Sequence, residues 1–226
     1  EIDAMDAELD VLVETLQERR RSVSVETLAE LFAGATVPIW SVLAPTKDQD
    51  HPTEEVLSVY RDYGVILKDS RDDNYNRTPA DVSTYQLVKP GHVVINKMKA
   101  WQGSLGVSAY RGIVSPDYQV ARPIADADVL PDYLHFVLRC PVMVPQYQAR
   151  SRGVRPAQWR LYWEDFANLR IPLPALPEQR CIVEQLDRET AQIDDMIADA
   201  QKLKCLLTER RTTLITDVIT GRKEVA

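Results

Sequence analysis

From Glu178 to Thr220 the chain contains neither proline nor glycine, immediately after a segment, Ile171-Pro-Leu-Pro-Ala-Leu-Pro-Glu178, that carries prolines 172, 174 and 177. Proline fits the first turn of a helix but not its interior, so the boundary predicts one long helix that begins near Pro177. At about 1.5 Å per residue such a helix is roughly 60 Å long, well beyond an ordinary globular helix. Its apolar positions include Leu186, Ile193, Met196, Ala200, Leu203, Leu207 and Leu214. From Ile193 onward the core positions step by three and four, with Arg210 in one slot, which is the heptad of a coiled coil. A rod of this kind requires a partner along its length.

The start of the chain supplies one. Ile2, Met5, Leu9, Leu12, Leu16, Arg19 and Val23 have the spacing of Ile193, Met196, Ala200, Leu203, Leu207, Arg210 and Leu214, at a constant offset of 191. Identities fall in register at Ile2/Ile193, Asp3/Asp194, Met5/Met196, Leu12/Leu203 and Leu16/Leu207, and Glu18-Arg-Arg is echoed by Glu209-Arg-Arg. This is an internal repeat, and it implies a two-fold or pseudo-two-fold arrangement. Antiparallel packing of the two rods uses both apolar seams. If the first helix is the end of a unit whose full form is the last helix, the chain is one half of a duplicated protein or assembles with a copy of itself.

Residues 24–176 differ from both rods, being rich in Tyr, Trp, Val and Pro with short alternating runs. The expected organisation is therefore a coiled-coil helix end over 1–23, an α/β globule over 24–176, and a long coiled-coil helix over 177–220. Strands are expected at Glu55–Val59, Val65–Leu67, Tyr85–Val88 and Val93–Ile95. A hairpin is expected from Leu105–Ser108 through Tyr110-Arg-Gly112 to Ile113–Ser115. Pro131 opens a helix that runs towards Cys140, on which His135 reads as a packing residue.

Catalytic motifs are absent: the sequence holds no glycine-rich phosphate loop, no Gly-x-Ser-x-Gly elbow and no His-Glu-x-x-His pair. Cys140, Cys181 and Cys205 are widely spaced and stand apart from His51, His92 and His135, so neither a disulfide framework nor a zinc site is indicated. With 45% hydrophobic and 27% charged residues the chain can bury a core, and no apolar run is long enough to span a bilayer. A cytoplasmic location is expected. A net charge of -7 argues against general attraction to nucleic acid, so any such role must rest on local charge.

Local charge does point that way. Residues 89–122 carry Lys89, Lys97, Lys99, Arg111 and Arg122 against Asp117 alone. Residues 139–170 carry Arg139, Arg150, Arg152, Arg155, Arg160 and Arg170 against Glu164 and Asp165. Trp101, Gln102, Tyr110, Tyr147, Gln158 and Trp159 are interleaved with them, a mixture suited to phosphate contacts by Lys and Arg and base-edge contacts by Arg, Gln and Asn. Trp101 and Trp159 serve as well as internal anchors. A third polar stretch holds Lys68, Arg71, Asn74, Asn76 and Arg77.

Taken together, these features resemble the specificity subunit of type I restriction-modification systems. The likeness is carried by Val94–Ser108 (Val-Ile-Asn-Lys-Met-Lys-Ala-Trp-Gln-Gly-Ser-Leu-Gly-Val-Ser), by Gly112–Tyr118, and by Leu161–Phe166 leading into Ile171–Gln179. The repeat over Ile193-Asp to Glu209-Arg-Arg and Leu214-Ile215 completes it. The resemblance implies a target recognition domain that reads one half of a bipartite DNA sequence in the major groove. It also implies helices that pack antiparallel and fix the gap between half-sites. Its members usually carry two such domains and this chain carries one, so the second would come from the same parent chain or from a second copy. Further implied partners are modification subunits, which use S-adenosylmethionine to methylate adenine, and restriction subunits. This chain would hold no cofactor, no metal and no catalytic residue of its own.

The candidate DNA-contacting residues are Lys68, Arg71, Asn74, Asn76, Arg77, Lys97, Lys99, Gln102, Arg150, Arg152, Arg155, Gln158 and Arg160. Ile2, Met5, Leu9, Leu12, Leu16, Leu186, Ile193, Met196, Ala200, Leu203, Leu207 and Leu214 are the candidates for helix packing and subunit contact. The alternative reading is a coiled-coil adaptor whose globule binds protein without DNA specificity.

Overall fold

The computed structural model describes residues 2–61, 63–70, 78–155, 158–220 and 222. The chain divides into two compact units, one formed by Glu1–Ser24 with Glu184–Ala226 and the other by Val25–Val183.

The first unit contains most of the two long helices, α1 (Ile2–Ala33) and α5 (Leu176–Ile219). They run antiparallel, as the ion pairs between them show: Asp3 meets Arg211 at 3.0 Å, Asp10 meets Lys204, and Arg20 meets Asp194 at 2.7 Å. In each case the two residue numbers total 214. Since equivalent residues of the repeat differ by 191, Asp3 corresponds to Asp194 and Arg20 to Arg211. The two outer ion pairs are thus one interaction made twice about a pseudo-dyad, and the repeat in the sequence is a symmetry of the packed helices. The central pair is not duplicated, because the position equivalent to Lys204 is Val13. The hydrogen bond from Lys204 to Asp10 raises the lysine pKa, and the charges of Asp10 and Asp6 act in the same direction.

The pair covers a narrower stripe than the sequence suggests. Ile193, Ala200 and Leu207 are buried, as is Leu186, while Ile2, Leu9, Leu16 and Leu214 are half-buried. Met5, Leu12, Met196 and Leu203 remain 40–48% exposed. The cause is rotational: at 3.6 residues per turn, Leu12 sits about 80° round the helix from Ile2, beyond the reach of one partner. The covered positions that complete the stripe are Asp6 and Val13 on α1 and Ile197 and Lys204 on α5.

The described residues of the second unit form ten short strands in four small sheets. Its largest sheet has the order β2 (Leu43–Thr46), β9 (Tyr118–Pro123), β6 (Val93–Asn96), β7 (Leu105–Val107), with every neighbour antiparallel. Beside it lie the hairpin β3 (Leu57–Tyr60) with β4 (Gly64–Leu67), and the pair β5 (Gln86–Val88) with β8 (Gly112–Val114). Strands β1 (Thr36–Pro38) and β10 (Arg170–Pro172) join the two ends of the unit. Leu57, Val59, Val65, Val88, Val94, Val114 and Val120 form one buried cluster that draws on three of these sheets.

The expected hairpin over 105–115 is not formed. Strand β7 pairs with β6, whereas β8 leaves for β5. Two contacts divert the chain. Ser108 N–H donates to the His92 carbonyl, and Gly112 lies flush against β3, where an added Cβ would come within 2.5 Å of the Glu55 carbonyl and 2.8 Å of Leu57. Glycine lets Ile113 N–H reach that Glu55 carbonyl at 2.8 Å.

Helix α2 (Pro131–Arg139) starts with proline in its first turn and buries Tyr133, Leu134, Val137 and Leu138. Tyr133 donates its hydroxyl to the Pro172 carbonyl, and burial pushes its pKa well up. Arg139 donates to the carbonyls of Leu105 (3.0 Å) and Arg61 (2.7 Å), and His135 Nδ1 accepts from Val107 N–H. His135 is therefore a packing residue. The start of α5 is fixed by the fully buried Gln179, whose amide donates to the carbonyls of Asp128 and Pro174 and accepts from Leu130 N–H.

Candidate nucleic-acid interface

Two segments meet at one end of the large sheet. The first is the turn that follows β6. Lys97 N–H donates to the Asp117 carbonyl, Asn96 Oδ1 accepts from Met98 N–H, and Gly103, at φ +88°, closes the turn where an L side chain would be strained. The second is the loop between α3 (Val144–Arg150) and α4 (Trp163–Ala167). At its base the backbones of Arg152 and Arg160 exchange two hydrogen bonds of 2.9 Å. Gly153 has no room for a side chain, since a Cβ there would fall 2.6 Å from the Gln158 carbonyl.

Two contacts join these segments directly, and a third ties the loop to Asp117, whose carbonyl accepts from Lys97 N–H. Leu161 N–H donates to the Lys97 carbonyl at 2.9 Å, Arg160 faces Asp117 at 3.6 Å, and Trp101 meets Trp159 edge to face with ring centroids 5.5 Å apart. Both tryptophans are half-buried, and Trp101 Nε1 donates to the Met98 carbonyl. They act as an internal clamp between the turn and the loop. The two cationic stretches, some fifty residues apart in the chain, thus form one surface.

Most of the cations in those stretches already have partners. Asp165 holds Arg152, Gln146 Oε1 holds Arg150 at 2.8 Å, Glu54 holds Arg111 at 2.7 Å, and Lys97 donates to the Pro116 carbonyl at 2.6 Å. Arg170 is turned to Thr36. Among the described residues, the side chains of Lys99, Gln102, Arg155 and Gln158 make no hydrogen bond or ion pair, and all four are exposed. They are the groups left free to meet a ligand, on a backbone held by those already engaged.

Of the third polar stretch, Lys68 is half-buried and donates to the Thr78 hydroxyl, with no bond among the described residues to the joined surface. Arg71, Asn74, Asn76 and Arg77 lie outside the described residues. Val154, 94% exposed at this same loop, is not among the residues that charge and polarity single out in the sequence. A signal for it was present: a β-branched apolar residue between Gly153 and Arg155, with no strand or helix periodicity to bury it.

No protein-family model matches the chain, and no curated protein does so. Solved structures do match. One, described as showing complex assembly and conformational transition of the type I R-M system, aligns over 96% of this chain with a TM-score of 0.61 and 18% identity. The HsdS subunit from Thermoanaerobacter tengcongensis aligns over 96% with a TM-score of 0.52 and 18% identity. The type I restriction-modification S subunit from M. genitalium aligns over 91% with a TM-score of 0.51 and 10% identity. The chain spans 55–56% of the length of each of these proteins. At such identities the likeness is one of fold: an α/β globule with long antiparallel helices, as in type I specificity subunits.

Proposed function

We propose that this chain is a sequence-specificity element of a type I restriction-modification complex, reading one half of a bipartite duplex target with its globular unit. The observation that carries this reading is the convergence of two cationic segments on one surface, where the side chains of Lys99, Gln102, Arg155 and Gln158 have no partner among the described residues. Lysine supplies a phosphate contact that is indifferent to sequence, while arginine and glutamine have the forked geometry that reads guanine and adenine edges. The fold it shares with specificity subunits supports the same reading.

The helical unit serves as scaffold and spacer. The doubled Asp–Arg ion pair supports an assembly with two recognition domains about a dyad, the second belonging to the same parent chain or to a second copy. The exposed Met5, Leu12, Met196 and Leu203 suit docking of modification and restriction subunits. Chemistry belongs to those partners: the modification subunit binds S-adenosylmethionine and methylates adenine, and this chain contributes no catalytic group. Consistent with a cytoplasmic assembly, no helix among the described residues is long and apolar enough to cross a membrane.

The test is selection from a random duplex library at fixed salt, using the chain assembled with its modification subunits. A bipartite motif is expected, palindromic for a self-paired chain and asymmetric for a two-domain parent. Absence of any enriched sequence from a folded complex would favour the adaptor reading.

A further inference from the structure

Val154 is the most exposed large hydrophobic side chain among the described residues, at 94%; the next, Ile219, is 79% exposed at the end of α5. Single exposed apolar residues are ordinary on protein surfaces and by themselves signify nothing. This one differs in its setting. The backbone that leads into it is pinned on three sides: by the Arg152–Arg160 bridge, by the ion pair of Arg152 with Asp165, and by the tight approach of Gly153 to the backbone of Gln158 and Trp159. A valine side chain has few rotamers, so its methyl groups, next to the held backbone of Arg152 and Gly153, have little side-chain freedom to lose. At 94% exposure the side chain packs against little among the described residues.

Its neighbours define the chemistry. Arg155 and Gln158 are exposed and, among the described residues, their side chains make no ion pair or hydrogen bond. A loop built only to hold phosphate would gain from lysine, serine or glycine at position 154 and gain nothing from valine. A loop built to read the major groove does have a use for it. Arginine pairs with guanine O6 and N7, glutamine with adenine N6 and N7, and small apolar groups pack on the C5-methyl of thymine. The three side chains together match the donor, acceptor and methyl pattern of base-pair edges.

We propose that Val154 is a specificity-determining residue that packs its methyl groups against the C5-methyl of a thymine in the recognised half-site. The inference rests on the DNA-reading function proposed above and adds to it one residue, one base and one atom. It also assigns the preference to DNA, since uracil lacks that methyl group.

The test uses the chain assembled with its modification subunits and the duplex that this complex enriches from a random library at fixed salt, with each thymine replaced in turn by deoxyuridine. For the wild-type chain, one replacement should weaken binding about fourfold, the factor that burying one methyl group corresponds to, and the others should have little effect. Val154→Ala should weaken binding to the thymine duplex by a similar factor and then be indifferent to deoxyuridine at that position; Val154→Ile should keep the methyl dependence. Because the side chain is 94% exposed, neither substitution should move the thermal midpoint, so a loss of binding cannot be a loss of fold.

An enriched duplex that tolerates deoxyuridine at every thymine, or that contains no thymine, overturns the inference and leaves the DNA-reading function standing. So does a Val154→Ala chain that stays as sensitive to the methyl group as the wild type, or one that binds DNA normally and loses a protein partner instead. If no duplex is enriched, the DNA-reading function itself fails, and the inference with it.

Discussion

The helical unit and the globular unit reach stability by opposite routes. In the helical unit one interaction is repeated: the Asp3–Arg211 contact recurs as Asp194–Arg20, and the buried stripe is a single heptad written twice. Every such contact joins residues at a fixed register, so a change at one end has a counterpart at the other. The globular unit has no repeat. Among its described residues, strands, helices and loops are joined by singular contacts, such as the Gln179 amide between three loop backbone groups, the close approach of Gly112 to Leu57, and Arg139 on the Leu105 carbonyl. Redundant, exposed contacts are individually weak, and singular buried ones are individually costly to lose. The difference suits the proposed roles of the helical unit as spacer and the globular unit as reading surface.

The strongest way to break this contrast is at Gln179. Its replacement by alanine leaves Leu130 N–H and two carbonyls without their partner, and should cost about 2–4 kcal/mol in denaturant unfolding of the intact chain. Gly112→Ala comes next. Its new Cβ must displace the Glu55 carbonyl or Leu57, at about 1–3 kcal/mol by the same assay.

On the proposed reading surface the effects are expected on binding and not on folding. Arg155→Ala should relax the selected motif at one position, worth about 1–3 kcal/mol of discrimination, whereas Lys99→Ala should weaken all duplexes alike and reduce the slope of log affinity against log salt by about 1. If both substitutions gave the same uniform loss, the division between base-reading and phosphate-holding side chains would be wrong.

His92 gives a pH signature. Burial lowers its pKa, and Lys89 and Arg122 lower it further against the smaller opposing effect of Asp48; its Nδ1 has no partner among the described residues. A histidine held neutral by the fold binds fewer protons folded than unfolded. Its contribution is therefore present above its ordinary pKa near 6.5 and lost as pH falls towards the depressed folded value. Thermal stability should decline over that range, and His92→Gln should flatten the decline.

The smallest effect tests the dyad. Arg20→Ala and Arg211→Ala each remove one copy of the same exposed ion pair, and each should cost less than about 1 kcal/mol. The two losses should be similar; a large asymmetry would show that the sequence repeat is not an energetic one.

Legibility in the sequence follows the same division. The rods are legible because a heptad is a local pattern, whereas their expected antiparallel direction is established by the ion pairs Asp3–Arg211 and Arg20–Asp194 and not by the seams alone. The rotational offset that leaves Met5 and Leu12 outside is not legible, since it depends on how many partners surround the helix. In the globule the strands at 57–60, 64–67, 86–88 and 93–96 were visible as short β-branched runs, yet the pairing of 105–107 and 112–114 was not. Strand pairing there is decided by a distant glycine contact with Glu55 and Leu57. Likewise the two cationic stretches could be read from charge alone. That they form one surface depends on Leu161 meeting Lys97, and that most of their charges are already engaged depends on Asp117, Asp165 and Glu54.

The most direct measurement is hydrogen exchange of the intact chain with and without the duplex it selects. DNA is expected to slow exchange in the turn at 97–104 and the loop at 150–161, with the helical unit unchanged. Protection confined to the helices, or spread over the globule away from those two segments, would contradict it.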